Sequence, residues 1–132
     1  MEIKNSIVPK DLQGNYGNWH FSPAVECENF IFFSGCTGRR PDGTIADNVA
    51  DQSRQAFLTI GKSIQEAEIT FGHIVEMTTY HVELQKNLKE FMRVKDEFII
   101  EPYPAWTAIG VSELAVADAV IEIRVIARRS IE

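Results

Sequence analysis

The chain has 132 residues, with 13 Lys and Arg against 19 Asp and Glu and a formal net charge of -6. At 45% hydrophobic and 24% charged residues it has the balance of one globular domain, not of a disordered chain, and its length suffices for a core without disulfides or metal. The acidic excess argues against partners bound through a phosphate backbone or an anionic membrane surface, because both need an excess of cations.

One domain over residues 1–132 is expected, with no repeat or linker. The opening Met1–Pro9 lacks the apolar run and cleavage site of a secretory leader, and no apolar stretch approaches the ~20 residues of a membrane span. A cytoplasmic location is the expectation. The first ~20 residues, with Gly14-Asn15-Tyr16-Gly17-Asn18-Trp19-His20, read as an irregular lead-in holding at most a short strand near its start. Phe21–Val25 and Asn29–Ser34 suit two paired strands, the second extended by Cys36–Arg40 to a turn at Pro41-Asp42-Gly43. Cys27 and Cys36 read as small strand residues in a reducing compartment, with a disulfide or a catalytic thiol as the alternatives. Asp47-Asn48 opens a helix in which Val49, Ser53, Phe57, Ile60, Ile64 and Ala67 recur at spacings of three and four. Ile74–Leu84 is β-branched and aromatic, a strand. Asn87 with Glu90 resembles a capping box, predicting a second helix through Leu88, Phe91, Lys95 and Phe98 that Pro102-Tyr103-Pro104 ends. Strands at 105–111 and 119–128 close the chain. The order predicts an α+β layer, a mixed sheet with two helices on one face.

In the last strand Ala119, Ile121, Ile123, Val125 and Ala127 share one side by the period of two, and should meet the helices. The other side carries Val120, Glu122, Arg124, Ile126 and Arg128, and with Trp106 from the preceding strand it is too apolar for bulk water. Burial against other subunits is the simplest solution. Glu122 and Arg124 then lie together, either as an interface ion pair or independent charges, or as a carboxylate and a cation in a partly dry pocket.

Several segments resemble one family. Phe21-Ser22-Pro23-Ala24-Val25, Phe33-Ser34-Gly35, Pro41-Asp42-Gly43, Gln52-Ser53-Arg54-Gln55-Ala56 and the closing Ile121–Ala127 are similar to the Rid (YjgF) reactive-intermediate deaminases. The resemblance implies a fold like chorismate mutase of the AroH type and a homotrimer with three inter-subunit clefts. It implies hydrolysis of enamines and imines to a carbonyl product and ammonia, with an Arg holding the substrate carboxylate and a Glu positioning water. Glu122 falls on that Glu, and Ser34-Gly35 match a Ser-Gly pair at the site. Trp106 stands where the Arg is usual, Phe21 where Tyr is usual, and Ala108 where Cys is common. An indole offers a stacking face and one N–H and cannot clamp a carboxylate. The segment 102–111, with Val94-Lys95-Asp96-Glu97, looks like the YjgH-like branch, which also lacks the Arg.

Two functions follow as expectations. One is an imine or enamine deaminase with an altered substrate. There Glu122 is catalytic, and Trp106, Phe21, Gly35, Ala108 and Arg124 bind substrate, with Arg124 or Arg39 supplying the lost cation. The other is a non-catalytic trimeric protein binding a small molecule in its clefts. Arg39-Arg40 otherwise read as a solvated hairpin tip. His20, His73 and His81 have no metal-ligand spacing, and no phosphate-cradling Gly loop is present, so neither metal nor cofactor is expected. His20, just before the first strand, keeps an alternative place at the cleft edge. Nucleic acid and membrane are not expected partners.

Overall fold

The computed structural model describes residues 3–130. Its elements in chain order are β1 (Asn5–Ile7), a 3-10 turn at Lys10–Leu12, α1 (Gln13–Trp19), β2 (Ala24–Cys27), β3 (Phe30–Phe33), β4 (Cys36–Thr37), α2 (Val49–Glu66), a 3-10 turn at Phe71–His73, β5 (Ile74–Val82), α3 (Leu84–Lys95), β6 (Ala105–Val111) and β7 (Ile121–Arg128). The strands form one mixed sheet in the order β1-β2-β3-β7-β5-β6, with β4 also on β7. Only β5 and β6 run parallel, and α3 makes the crossover between them, as a parallel pair requires.

The N-terminal third departs from the sequence reading. Gly14–Trp19 is helical despite two glycines, and the strand expected from Phe21 begins at Ala24. Helix propensity is a weak prior, and tertiary contact overrides it here. Asp11, in the turn before α1, accepts from Lys62 on α2 at 2.8 Å, and His20 closes α1 in the left-handed conformation. A tight turn joins β2 to β3 through Glu28 and Asn29, both with positive φ, the conformation of a two-residue hairpin loop whose twist matches its strands.

Asn48 caps α2, its Oδ1 accepting from the Asp51 N–H at 2.8 Å. The buried stripe is Val49, Gln52, Ser53, Ala56, Phe57, Ile60, Ser63 and Ile64. Helix α3 begins at Leu84, three residues before the expected cap. Glu83 turns the chain in the left-handed conformation, and the Asn87 amide donates to the last carbonyl of β5, Val82 O, at 3.1 Å. It ends at Lys95, short of the prolines, because the chain turns through Asp96 to bring Phe98 onto Phe57, ring centroids 4.9 Å apart. Phe57, Phe91, Phe71 and Phe98 form the aromatic centre of the core between helices and sheet.

Helices α2 and α3 lie on the same face of the sheet. Ile121, Ile123, Val125 and Ala127 are fully buried beneath them, with Met77 and Ile31. Trp106 belongs to this layer, which corrects its expected place on the open face. Its ring lies 6.0 Å from that of Phe91, its Nε1–H donates to Thr79 Oγ1 at 2.9 Å, and Lys95 Nζ sits 4.9 Å from its centroid. Val120 also packs on the core. The open face is set by register instead. Phe32 pairs with Ile126, Phe30 with Arg128, Thr78 with Arg124, and Tyr80 with both Glu122 and Ile109. Phe30, Phe32 and Ile109 stay about 40% exposed there, an apolar surface that no helix covers among the described residues.

Candidate active site

The edge of β7 opposite β5 is where the chain makes room. From Phe32 to Cys36 the β3–β4 strand advances four residues while β7, from Ile126 to Ile123, advances three. The extra residue is a bulge, a device that bends a strand and re-aims side chains, and it falls at Ser34-Gly35. Ser34 is held by its neighbours: its N–H donates to Pro23 O at 3.0 Å and its Oγ to Ser22 O at 2.6 Å. Gly35 lies under the Glu122 carboxylate, so closely that a Cβ there would sit 2.7 Å from Glu122 Cδ and overlap Oε2.

A cavity of about 770 Å³ opens over this point. Its walls come from α1 and the turn before it (Asp11, Asn15, Trp19), from Phe21, from Thr59 and Lys62 on α2, from Gly35–Thr37, and from the loops carrying Arg39 and Ala115–Ala117. Behind it a recess of about 30 Å³ runs between Phe21, Phe33 and Ile60.

The loop walls are joined through one buried side chain. Gln52 accepts from the Val120 N–H at 2.8 Å and donates to Ala46 O at 2.8 Å and Asp118 O at 3.0 Å. Its own backbone lies where a Cβ on Gly38 would be, 2.8 Å from the Gln52 carbonyl carbon, so the strand leaving β4 passes directly over α2. The hairpin beyond is an Asx turn. Asp42 Oδ1 accepts from Thr44 N–H and Oγ1 at 2.9 and 2.7 Å, and Arg40 Nη1 donates to Thr44 Oγ1 at 3.1 Å.

Electrostatically the cavity holds one unengaged carboxylate. Among the described residues the Glu122 carboxylate makes no hydrogen bond or ion pair, and burial pushes it up from the ordinary carboxylate range. A carboxyl raised in this way holds its proton more readily than an ordinary one, which suits it to take and return a proton. Cys36 shares the wall, but burial, opposed slightly by Thr59 and reinforced by Glu122, drives its thiol up to about 12. It is a neutral thiol and not a nucleophile, and Cys27 is also free of any disulfide.

Of the residues singled out in the sequence, Glu122, Gly35 and Phe21 meet in this cavity, and Arg39 joins them. Arg39 and Arg40 are therefore cavity walls, not only a hairpin tip. Trp106 and Ala108 lie on the helix face of β6, and Arg124 on the open face opposite Thr78. His81 lies in the core beside Thr79 and Phe91, and His20 forms the end of α1. Asp11, Asn15, Trp19 and Lys62 were not anticipated. Reading the first ~20 residues as an irregular lead-in hides Asp11, Asn15 and Trp19, and Lys62 lies off the buried stripe of α2.

Among the described residues no cluster of three His, Cys, Asp or Glu side chains could hold a metal ion. No helix there is long and apolar enough to cross a membrane.

The family model described as Endoribonuclease L-PSP matches residues 16–129. The RutC family protein YjgH of Escherichia coli is 35% identical over 129 residues, 97% of each chain. The solved structure of protein YjgH superposes with a TM-score of 0.89 at 32% identity, over 99% of this chain and 100% of that one. A protein of Dermatophagoides farinae named 2-iminobutanoate/2-iminopropanoate deaminase is 26% identical over 71% of this chain and 74% of its own. The chain belongs to the Rid (YjgF) family, resembles its YjgH-like members, and has their chorismate-mutase-like α+β fold.

Proposed function

We propose that the protein hydrolyses a C=N bond, turning a reactive imine or enamine into a carbonyl product and ammonia, on a substrate that differs from the simple imino acids. The observation that carries this reading is the Glu122 carboxylate, seated over Gly35, unpaired and raised in a cavity large enough for a small molecule. Glu122 orients a water against the C=N carbon and takes its proton, and the same carboxylate returns a proton to the departing nitrogen. Phe21 and the Gly35 backbone shape the cavity. The name of the Dermatophagoides relative supports the reaction class. The altered substrate follows from Trp106, which is engaged with Thr79 and Phe91 and offers no cation. Arg39 supplies the positive charge in this reading, and Arg124 is the alternative, from across a subunit boundary.

The assembly proposed is a homotrimer in which the open sheet faces bury one another and the cavities become inter-subunit clefts, in the cytoplasm, without cofactor. The exposed Phe30, Phe32 and Ile109 support it, since large apolar side chains left uncovered on an open sheet face suit burial against another subunit. Light scattering at micromolar concentration reads the mass directly, and a monomer overturns this arrangement.

Activity is tested with purified protein, 2-iminobutyrate, 2-iminopropionate and bulkier imines, following ammonia release. Turnover lost in Glu122→Gln supports the reaction. Rates equal to buffer for every imine, unchanged in that variant, leave the second reading: a non-catalytic trimer that binds a small molecule in the same clefts. The absence of a cation at Trp106 favours that alternative, because substrate positioning supplies much of the rate in such chemistry.

A further inference from the structure

We infer that the cavity is built for a small aromatic ligand carrying a single negative charge, with its ring against Trp19 and Phe21 and its anion on Arg39. The inference deepens the reading of this cavity as a reactive site and names its substrate class, but its binding half stands without any turnover.

Two aromatic side chains in the wall present their surfaces to the opening. Trp19 is 72% exposed and Phe21 40%. Phe21 follows α1's left-handed end, where its N–H donates to Asn15 O at 3.2 Å, so a fixed turn links the two residues. Aromatic faces left to water inside a concavity are suited to stacking on a planar, apolar group. The recess behind Phe21, at about 30 Å³, holds about one water or a methyl group and not a ring. A ring therefore lies in the main cavity, along Trp19.

Three cations line the wall, and two are engaged. Lys62 is paired with Asp11 at 2.8 Å, and Arg40 donates to Thr44. Arg39 has no side-chain hydrogen bond or ion pair among the described residues, and its guanidinium lies along Gly43, with Nη2 3.1 Å from where a Cβ would stand. Gly43 has a φ of +91, a conformation that favours glycine, so no side chain displaces that guanidinium, and Arg39 lines the cavity. A guanidinium with free donors suits a planar carboxylate, which it binds through two parallel hydrogen bonds. Glu122, in the same cavity wall, disfavours a second anion. The ligand is thus a monoanion whose remaining polar group is neutral or cationic, as a C=N nitrogen is.

The test is equilibrium binding of three stable ketones to the full chain by calorimetry: phenylpyruvate (aromatic, anionic), 2-oxobutyrate (aliphatic, anionic) and benzyl methyl ketone (aromatic, neutral). Phenylpyruvate should bind at least about tenfold more tightly than either of the others, as one charge-assisted pair or one stacked ring allows. Arg39→Ala should weaken phenylpyruvate about tenfold and leave benzyl methyl ketone unchanged. Trp19→Ala should weaken both aromatic ligands and leave 2-oxobutyrate unchanged. Both side chains are at the surface, so the variants should keep the fold, which circular dichroism checks. Equal affinity for phenylpyruvate and 2-oxobutyrate, no binding of any of the three, or an Arg39→Ala variant that binds all three as before overturns the inference. Tight phenylpyruvate binding without ammonia release from any imine overturns the hydrolase reading alone, and turnover of aliphatic imines without aromatic binding overturns this inference alone.

Discussion

Gly35 is the seat of Glu122: the carboxylate occupies the space a side chain at Gly35 would need, with Glu122 Cδ 2.7 Å from a Cβ placed there. The group in the way is the free end of a flexible side chain, so Gly35→Ala should fold, with a stability change of no more than about 1 kcal/mol. Glu122 must swing off the bulge. Activity, where the imine assay detects it, should fall close to the level of Glu122→Gln, and the Glu122 carboxyl should return toward the ordinary range because its burial is lost. Carboxylate-selective NMR titration reads that directly. An unchanged titration in Gly35→Ala would show that the seat is not what holds the group.

The contrast between Glu122 and Trp106 shows what was legible in the chain and why. The strand at 121–128 has a side-chain period of two and four apolar residues in phase, so its core face and the outward aim of Glu122 follow from the sequence. Strand β6 has a weaker pattern, with Trp106, Ala108 and Gly110 alternating with Ala105, Thr107 and Ile109. Either side of β6 can pass for the core side, and the choice is made by α3, which brings Phe91 and Lys95 over Trp106. Helix α1 was invisible because glycine and asparagine predict turns. The turn that leads into it is tied to α2 by Lys62 on Asp11, a contact between residues 51 positions apart. The cavity was legible through Phe21, Gly35 and Glu122, and its second wall was not.

The pair His81 and Thr79 should give the protein an acid-side weakness. His81 is fully buried, Nε2 lies 2.7 Å from Thr79 Oγ1, and Nδ1 has no partner. Burial lowers its pKa from 6.5 to about 4. The folded chain therefore refuses a proton that the unfolded chain accepts below pH 6.5. Stability is unaffected above that value and falls as the pH drops toward 4, on the order of 1.4 kcal/mol for each pH unit in which only the unfolded ring is charged. Glu122 acts oppositely, because its raised carboxyl costs stability as pH rises above the ordinary carboxylate range. Urea unfolding at several pH values should show the acid loss in the wild type and in Glu122→Gln, and a flatter profile in His81→Gln. A His81→Gln profile parallel to the wild type would assign the loss elsewhere.

Gln52 should rank among the costly polar positions of the chain. Its amide engages Val120 N–H, Ala46 O and Asp118 O inside the fold. Gln52→Leu keeps much of the volume and leaves those three partly buried backbone groups without their protein partner, which should cost about 1–3 kcal/mol. The loss should be local before it is global: amide exchange at Val120 should accelerate well ahead of exchange at Val125 in the middle of β7. Equal acceleration at both sites would mean that Gln52 only contributes to overall stability and does not hold the cavity loops.

Placing a cation at position 106 should not convert this protein into one that clamps a carboxylate there. Trp106 donates to Thr79 at 2.9 Å, packs on Phe91 and lies under Lys95 Nζ, 4.9 Å from its ring centre. The indole face attracts that ammonium. A guanidinium in its place would repel it and lose the aromatic packing. Lys95 itself is nearly buried, with Asp96 as its one ion-pair partner among the described residues, so it has little room to move away. Trp106→Arg should therefore destabilise the protein by about 3 kcal/mol or more, by the large-to-small and unpaired-charge terms together. Trp106→Phe, which loses the hydrogen bond and part of the ring, should cost about 1–2 kcal/mol. The double variant Trp106→Arg with Lys95→Met separates the two effects. Removing the ammonium should recover part of the Trp106→Arg loss if repulsion contributes, and none if the loss is packing alone. Urea midpoints of the four chains decide it, and a Trp106→Arg chain as stable as the wild type would mean that the side chain leaves the helix face for solvent or a neighbouring subunit.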